Sequence, residues 1–215
     1  MVQKAKTRRG RPRNYDPDRA LAQATAAFWD AGYSATSLDD LSAATGMNRP
    51  SLYGAFGDKH ALYLKTIEGY RAMARAGMQR ALPQDGPLKA ALGELYQTAI
   101  SLYLSGGQGA RGCLLVSTAA TEAVTDPEIR RAARAGLEEI DEAFAARLRH
   151  AREQGDLPPS ADPAALARLA SAILHTLSVR ARTGTPRASL EQIAASGVDL
   201  ICGPGKPARR NNAKG

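Results

Sequence analysis

The segment that decides the fold is Ser37–Phe56, "SLDDLSAATGMNRPSLYGAF". Two leucines three residues apart give its first half the inward face of a short helix. After a turn at Gly46, a second helix would pack back through Leu52 and Phe56. This arrangement is typical of a helix-turn-helix, whose second helix enters the major groove of DNA. Short helix pairs also occur in all-α proteins with other functions, so the spacing by itself leaves the function open.

Capping residues mark helix boundaries along the rest of the chain. Asp16, Asp126, Asp162 and Thr185 each precede a proline, which favours a helix start because the side chain accepts an amide N–H and proline has none to satisfy. Ser37 begins a capping box in which Asp replaces the usual Glu or Gln. The pattern predicts helices over residues 17–31, 38–46, 48–56, 59–82, 87–105, 111–124, 127–154, 163–182 and 187–201.

The composition is that of an all-α protein with basic ends. The chain has 215 residues, of which 44% are hydrophobic and 5% aromatic, and it lacks alternating Val/Ile segments. The formal net charge is +8; six positive charges and no acid lie in the first 13 residues, and the segment from Gly203 adds four more. Basic ends on a near-neutral body suit a phosphate-rich partner, although solvated terminal charge is also common.

Other functional classes find little support. Cys113 and Cys202 belong to no CxxC or His-containing cluster, so no disulfide framework, metal site or cofactor is expected. The N-terminus has no apolar signal-peptide core, and no apolar run is long enough for a membrane span, which predicts a cytoplasmic protein. The letters "GQGARG" at 107–112 match a dinucleotide-binding pattern, but a predicted helix precedes them where a strand is required. No nucleophile, base and orienting group occur together, so we expect no enzyme.

The segment Ala20–Tyr63, "ALAQATAAFWDAGYSATSLDDLSAATGMNRPSLYGAFGDKHALY", combines several spaced elements, among them F-x-x-x-G-Y and G-x-x-x-x-x-L-Y-x-x-F. In these it resembles the N-terminal domain of the TetR (tetracycline-repressor) family of transcription regulators. The resemblance covers about Asp16–Tyr70; beyond it only length, helicity and "GCLLVSTA" at 112–119 are similar. It implies a dimeric, all-α repressor whose N-terminal helices bind a palindromic operator in double-stranded DNA and whose larger C-terminal domain binds a small inducer.

Carried over by position, the resemblance assigns DNA contacts around the second helix of the motif. Ser37 would hold a phosphate, Tyr53 and Lys59 would grip the DNA backbone, and the groove would be contacted by Asn48, Arg49, Pro50 and Ser51. Lys59 lies in the first turn of its helix, where its ammonium and the backbone amides can converge on one phosphate. Two of these residues have alternative structural roles, Asn48 as an N-cap and Tyr53 as a core residue.

Helical geometry orients the second helix. At about 100° per residue, with Leu52 and Phe56 toward the core, Pro50 and Gly54 face away, and Arg49 falls nearer the core side. Glycine inside a helix costs roughly 1 kcal/mol relative to alanine. Gly54 is therefore better explained by a close approach of DNA than by stability.

The chain is predicted to have four parts: a basic arm over 1–13, a DNA-binding domain over 14–75 with its helix-turn-helix at 37–56, a helical ligand-binding and dimerisation domain over 76–202, and a basic tail over 203–215. In the arm, Arg11 and Arg13 would enter a narrow, A·T-rich minor groove. The last two helices carry wide apolar stripes that, by resemblance, would form a homodimer interface. The intramolecular core is the alternative use of those stripes.

The larger domain carries weaker signals. Tyr96 and Tyr103 share a helix face and would line a ligand pocket with Met73, Cys113 and Phe144, although core packing explains the same stripe. Cys113 begins a predicted helix near Arg111, and both features would favour a thiolate and hence a redox or electrophile sensor. The alternative is a small buried cysteine.

Together these patterns predict a ligand-responsive, sequence-specific DNA-binding regulator, a repressor that a small molecule releases from a palindromic operator. Three other hypotheses are a redox-sensing repressor that uses Cys113, a small helical enzyme, and an architectural protein that binds any duplex with similar affinity.

Overall fold

The computed structural model describes residues 16–107 and 109–203, and every regular element in those ranges is helical. The helices are α1 Pro17–Ala31, α2 Leu38–Thr45, α3 Arg49–Phe56, α4 Lys59–Ala81, α5 Leu88–Tyr103, α6 Leu114–Ala120, α7 Pro127–Glu153, α8 Pro163–Arg182 and α9 Arg187–Cys202, with a 3-10 turn at Glu122–Val124 between α6 and α7. The predicted all-α fold is confirmed. With one exception, the predicted helix boundaries lie within two residues of the observed ones.

Three of the four predicted helix starts are formed by Asp-Pro pairs. The carboxylates of Asp16, Asp126 and Asp162 accept backbone N–H bonds at the starts of α1, α7 and α8. The prediction for Thr185 is wrong. Its amide donates to a carbonyl at the end of α8, and α9 begins after Pro186 without a side-chain cap. Thr185 therefore belongs to the turn that ends α8.

The predicted helix over residues 111–124 is the exception. The chain turns at Gly112, where φ is +64° and a Cβ would lie 2.9 Å from the Ser178 carbonyl oxygen. Only glycine fits such a position without strain, because it tolerates positive φ and has no side chain. The α-helix is limited to Leu114–Ala120, and at Thr121 the backbone leaves the helical region before the 3-10 turn.

α4 joins the N-terminal helices to the rest of the protein. It packs against α1 and α3 and also against α5, α6 and α7, and it runs unbroken through residue 75. α7 packs on α8, and α9 packs on both α5 and α8. A movement of α7 can therefore be transmitted to α1–α3 through α4 and through the side-chain contacts beside α4.

Aromatic side chains fix α1 against α4. Phe28 meets Tyr63 edge-on with ring centroids 5.0 Å apart, and Trp29 meets Tyr70 in the same way at 4.8 Å. Edge-to-face pairs add roughly 0.5–1.5 kcal/mol beyond the area they bury. The Tyr63 hydroxyl also shares a hydrogen bond of 2.8 Å with the hydroxyl of Thr118 in α6. The α1–α4 contact is thus connected directly to the C-terminal helices.

α8 and α9 approach each other closely at Gly197, where a Cβ would lie 2.6 Å from Cδ1 of Ile173. Their outer faces leave Leu169, Val179 and Leu200 in solvent. Among the helices of the described ranges, none is both long and apolar enough to cross a membrane.

Candidate DNA-binding surface

α2 and α3 are set by local capping. Ser37 Oγ accepts the Asp40 amide at 3.1 Å and donates to the Asp40 carboxylate at 2.6 Å, and that carboxylate also accepts the Ser37 amide at 2.8 Å. The predicted capping box is confirmed, and its hydrogen bonds, led by that from the Ser37 hydroxyl, hold the pKa of Asp40 below its usual value. Gly46 ends α2 in the left-handed conformation, with φ of +67°. The turn at Gly46 sets the direction of α3 relative to α2.

Asn48 is the N-cap of α3. Its Oδ1 accepts the Ser51 amide at 2.9 Å, which confirms the capping role that the sequence left open. This bond uses only the side-chain oxygen, and the Nδ2 donors of Asn48 make no hydrogen bond within the part of the chain that the structure describes. A structural role and free hydrogen-bond donors are therefore combined in one exposed side chain.

The outer face of α3 carries no long side chain at its centre. Leu52 and Phe56 turn into the core, where they are 2% and 7% exposed, while Pro50 and Gly54 lie on the outside as the helical geometry predicts. Apart from the adjacent backbone of α3, no atom of the described residues lies within 4 Å of the position that a Cβ would take at Gly54. The packing of this chain therefore places no demand for glycine at that position.

Arg49 and Tyr53 flank this face. Arg49 is exposed, so the expected position nearer the core is wrong; its guanidinium binds the Asp39 carboxylate through Nε at 3.1 Å and Nη2 at 2.7 Å. The hydrogen bond to Asp39 raises the pKa of Arg49. Tyr53 is 48% exposed, which excludes the alternative of a core tyrosine. Both side chains are accessible to a partner of α3.

Lys59 is the first residue of α4. Asp58 caps this helix by accepting the Ala61 amide at 2.8 Å, as predicted. The ammonium of Lys59 lies 4.3 Å from the centroid of the Tyr33 ring, a cation–π contact that holds the cation at the surface. Partial burial lowers the pKa of Lys59.

The sequence did not predict the contacts between the N-terminal helices and the larger part of the chain, and two of these contacts involve Trp29 and His60. His60 Nε2 lies 2.8 Å from Oδ2 of Asp126, and Trp29 Nε1 donates to the Gly112 carbonyl at 3.0 Å. The members of the second pair are 83 residues apart in the chain. No periodicity relates residues at such a separation, although Trp29 and His60 both lie inside the motif-bearing segment.

The five residues predicted to line a ligand pocket are separated by the fold. Tyr96 and Phe144 are buried together with ring centroids 6.3 Å apart, and Tyr103 is buried beside Cys113. Met73 is 41% exposed and borders a different hollow, between α1 and α4. Core packing accounts for the four buried residues.

Cys113 is a buried thiol. It accepts a hydrogen bond from the Tyr70 hydroxyl at 3.2 Å, and desolvation by burial raises the pKa of the thiol. Arg111, expected to favour a thiolate, instead lies over the Trp29 ring at 4.6 Å from its centroid. The prediction of a favoured thiolate is wrong, and the alternative of a small buried cysteine is confirmed. A helix, α5, precedes residue 107, where a dinucleotide-binding pattern would require a strand.

A capped α2–turn–α3 unit with one open face on its second helix defines a helix-turn-helix DNA-binding protein. The predicted arm contacts of Arg11 and Arg13, and the tail from residue 204, lie outside the residues that the structure describes.

Comparisons with known proteins identify the family. Residues 20–66 match the model of bacterial regulatory proteins of the tetR family, and residues 89–196 match the tetracyclin repressor-like C-terminal domain. The transcriptional repressor ComR of Escherichia coli K12 is 29% identical over 200 residues, which cover 93% of this chain and 95% of ComR. The uncharacterised regulator YezE of Bacillus subtilis 168 is 31% identical over 160 residues, which cover 74% of this chain and 82% of YezE.

Among solved structures, a cysteine mutant of the TetR-family regulator CifR, complexed with 26-bp double-strand operator DNA, has a TM-score of 0.80 at 31% identity. The similarity covers 87% of this chain and 98% of that chain. The present chain belongs to the TetR family and is a DNA-binding transcription regulator. The resemblance seen in its N-terminal motif is confirmed, and the family assignment now includes the C-terminal helices.

Proposed function

We propose that this protein is a repressor that binds a palindromic operator as a homodimer and leaves it when a small molecule binds the C-terminal domain. The outer face of α3 carries the proposal, because Pro50 and Gly54 place no long side chain on it. Among the described residues, no atom outside α3 approaches the Gly54 Cβ position. Glycine there costs roughly 1 kcal/mol of helix stability relative to alanine. Close approach of α3 to the floor of a DNA groove would explain why glycine occupies this position.

In the proposed complex, α3 lies in the major groove. Pro50 has no N–H and would contact an apolar group such as a thymine methyl, while polar contacts to base edges would come from Asn48, Arg49 and Ser51. Arg49 is suited to guanine because a guanidinium offers two parallel donors. It must first leave the carboxylate of Asp39, which binds it through the same donors. Asp39 would thus restrain Arg49 when DNA is absent.

Phosphate contacts would set the register of α3. Lys59 and Tyr53 would bind the DNA backbone, and Ser37 would turn its hydroxyl from Asp40 toward a phosphate. Arg11 and Arg13 would follow the adjacent minor groove. These contacts would add affinity with little dependence on sequence.

The homodimer would form through the outer faces of α8 and α9. These helices expose Leu169 and Leu200, the latter 73% exposed, beside the partly buried Ile173 and Ile193. Contiguous exposed apolar side chains are typical of protein–protein interfaces. A two-fold axis through this surface would offer two copies of α3 to half-sites about one helical turn of DNA apart, or a multiple of that, which requires a palindrome.

We place the boundary between the two domains inside α4. The DNA-binding domain then covers residues 14–75 and the ligand-binding domain residues 76–202. We also place the protein in the cytoplasm, with the DNA. The unbroken α4 would connect the two domains, so that a shift of its second half is passed on to α3. The burial of Cys113 favours a bound small molecule over thiol oxidation as the signal. The family of regulators favours DNA binding over an enzymatic role for the C-terminal domain.

Selection from random-sequence duplexes tests the proposal. Purified protein should enrich an inverted repeat, bind it as two chains per site, and prefer it over a scrambled duplex by roughly 10³-fold or more in anisotropy titrations. Gly54→Leu should lose this preference, while Gly77→Leu, at an equally open position in α4, should keep it. Similar affinity for all duplexes would favour the architectural hypothesis. Retained preference in Gly54→Leu would mean that another face of α3 meets the DNA.

A further inference from the structure

A hollow of about 370 Å³ lies between α1 and α4, outside the helices assigned to the inducer. Its walls are mostly carbon and include Leu21 and Trp29 of α1 and Tyr70 and Met73 of α4. Gly69 contributes no side chain, and apart from the adjacent backbone of α4 no atom of the described residues lies within 4 Å of the Cβ position there. The size is within the range of small-molecule pockets in proteins. Two aromatic rings and a flexible thioether provide contact surfaces for a flat, apolar group.

Arg111, from the segment after α5, closes one end of the hollow. Its guanidinium lies over Trp29, and Nη2 donates to the Ser105 carbonyl at 2.8 Å. Nε is buried and makes no hydrogen bond to the described residues, although it forms a long ion pair with Oδ1 of Asp30 at 3.8 Å. A guanidinium has five donors and pairs best with a carboxylate through two of them. Arg111 therefore retains unused capacity to bind an anion.

The other end of the hollow has the opposite charge. Asp18 lines it from the first turn of α1, roughly 16 Å along the helix axis from Trp29. An anionic group would be repelled at the Asp18 end and attracted by Arg111 at the other end, where it would share the guanidinium with Asp30. The hollow is therefore polarised, with an apolar middle between a cation and an acid.

We propose that this hollow binds a small aromatic carboxylate, with its ring on Met73 and against the small exposed parts of Trp29 and Tyr70, and its carboxylate on Arg111. The ligand would cover the exposed part of Met73 and bind the guanidinium of Arg111 beside Asp30. It would touch α1, α4 and the segment after α5 at once, which makes it a second effector site at the joint between the DNA-binding helices and the rest of the protein. Ligand binding at this site can be tested without knowing the operator sequence.

Binding can be measured without DNA, because Trp29 is the one tryptophan of the sequence and lines the hollow. We would use 4-(trifluoromethyl)benzoate as the probe and 4-(trifluoromethyl)benzamide as its neutral match, and follow both by fluorine NMR and by Trp29 emission. The benzoate should bind saturably and at least ten-fold more tightly than the benzamide. Arg111→Gln should lower the benzoate affinity to that of the benzamide and leave the benzamide unaffected.

Filling the hollow provides the second test. Gly69→Leu places a side chain in the open space and should abolish the probe signals, while Gly77→Leu, eight residues further along α4 and equally open, should leave them unchanged. Circular dichroism of both variants should match that of the parent protein. Equal binding of benzoate and benzamide, undiminished binding to Gly69→Leu, or no saturable change in Trp29 emission would overturn the proposal.

Discussion

The carboxylate of Asp126 connects the start of α4 with the start of α7. Oδ2 of Asp126 lies 2.8 Å from His60 Nε2, while Oδ1 caps α7 by accepting the amides of Glu128 and Ile129. These bonds, chiefly that from the Ile129 amide, hold the pKa of Asp126 below its usual value. Because the folded-state pKa is lowered, the stabilisation is present at neutral pH and is lost as the pH falls through that pKa.

Asp126→Asn should remove this dependence on pH. Asparagine caps a helix about as well as aspartate, so we expect the free energy of unfolding at pH 7 to fall by no more than about 1 kcal/mol, through the lost charge. The loss of stability of the parent protein between about pH 4 and pH 2 should become shallower in the variant. Urea denaturation followed by circular dichroism at several pH values measures both effects.

Asp162→Asn is the control for this substitution, because Asp162 caps α8 without a histidine partner. We expect Asp126→Asn to alter operator affinity through the α4–α7 contact and Asp162→Asn to leave it unchanged. Parallel stability curves for the parent and Asp126→Asn would contradict the role given to this carboxylate.

Asp39→Asn should strengthen binding to any duplex. The change frees Arg49 and removes a negative charge beside α3, so the slope of log K against log salt should steepen by about one unit. Stability should change by less than about 0.5 kcal/mol, since exposed ion pairs contribute little. Anisotropy titrations over a salt series test this, with Glu138→Gln, which breaks an exposed pair with Arg134 in α7, as the control. An unchanged slope would mean that the freed Arg49 makes no additional contact with DNA.

Deletion of residues 1–13 should weaken binding to all duplexes and flatten the salt dependence, because it removes six positive charges. The preference for the operator over a scrambled duplex should survive, since α3 supplies the base contacts. The same titrations measure both quantities. If the arm stays away from DNA, the truncated and full-length proteins will show the same slope.

Leu200→Glu should produce monomers and thereby weaken operator binding. The substitution places a charge in the apolar face proposed for the dimer, where an unpaired buried charge is strongly unfavourable. Sedimentation velocity measures the oligomeric state. Val124→Glu is a matched control, because Val124 is 66% exposed but belongs to the 3-10 turn after α6. A dimer that persists in Leu200→Glu would place the interface elsewhere.

The fold was predictable wherever neighbouring residues determine it. The caps at Asp16, Asp126 and Asp162 and the box at Ser37 form within a few residues of the chain, so composition and spacing reveal them. The break at Thr121 was not predictable, because it depends on how α6 meets the turn before α7.

The site was predictable only in part. Helical periodicity identifies the outer face of α3, but it cannot pair Arg49 with Asp39 or His60 with Asp126, because those contacts arise when separate helices meet. The apolar stripe that contains Tyr96 identifies the buried side of α5. It does not tell whether a neighbouring side chain or a ligand fills the space, and here Phe144 occupies it.

The unbroken course of α4 gives small displacements a long lever arm. Its 23 residues span roughly 34 Å at 1.5 Å per residue. A tilt of about 5° at the far end would move the end beside α3 by about 3 Å, close to the rise of one DNA base pair, about 3.4 Å. In a two-fold dimer both arms would swing together, so a tilt too small to disturb the core would take both copies of α3 out of register with their half-sites.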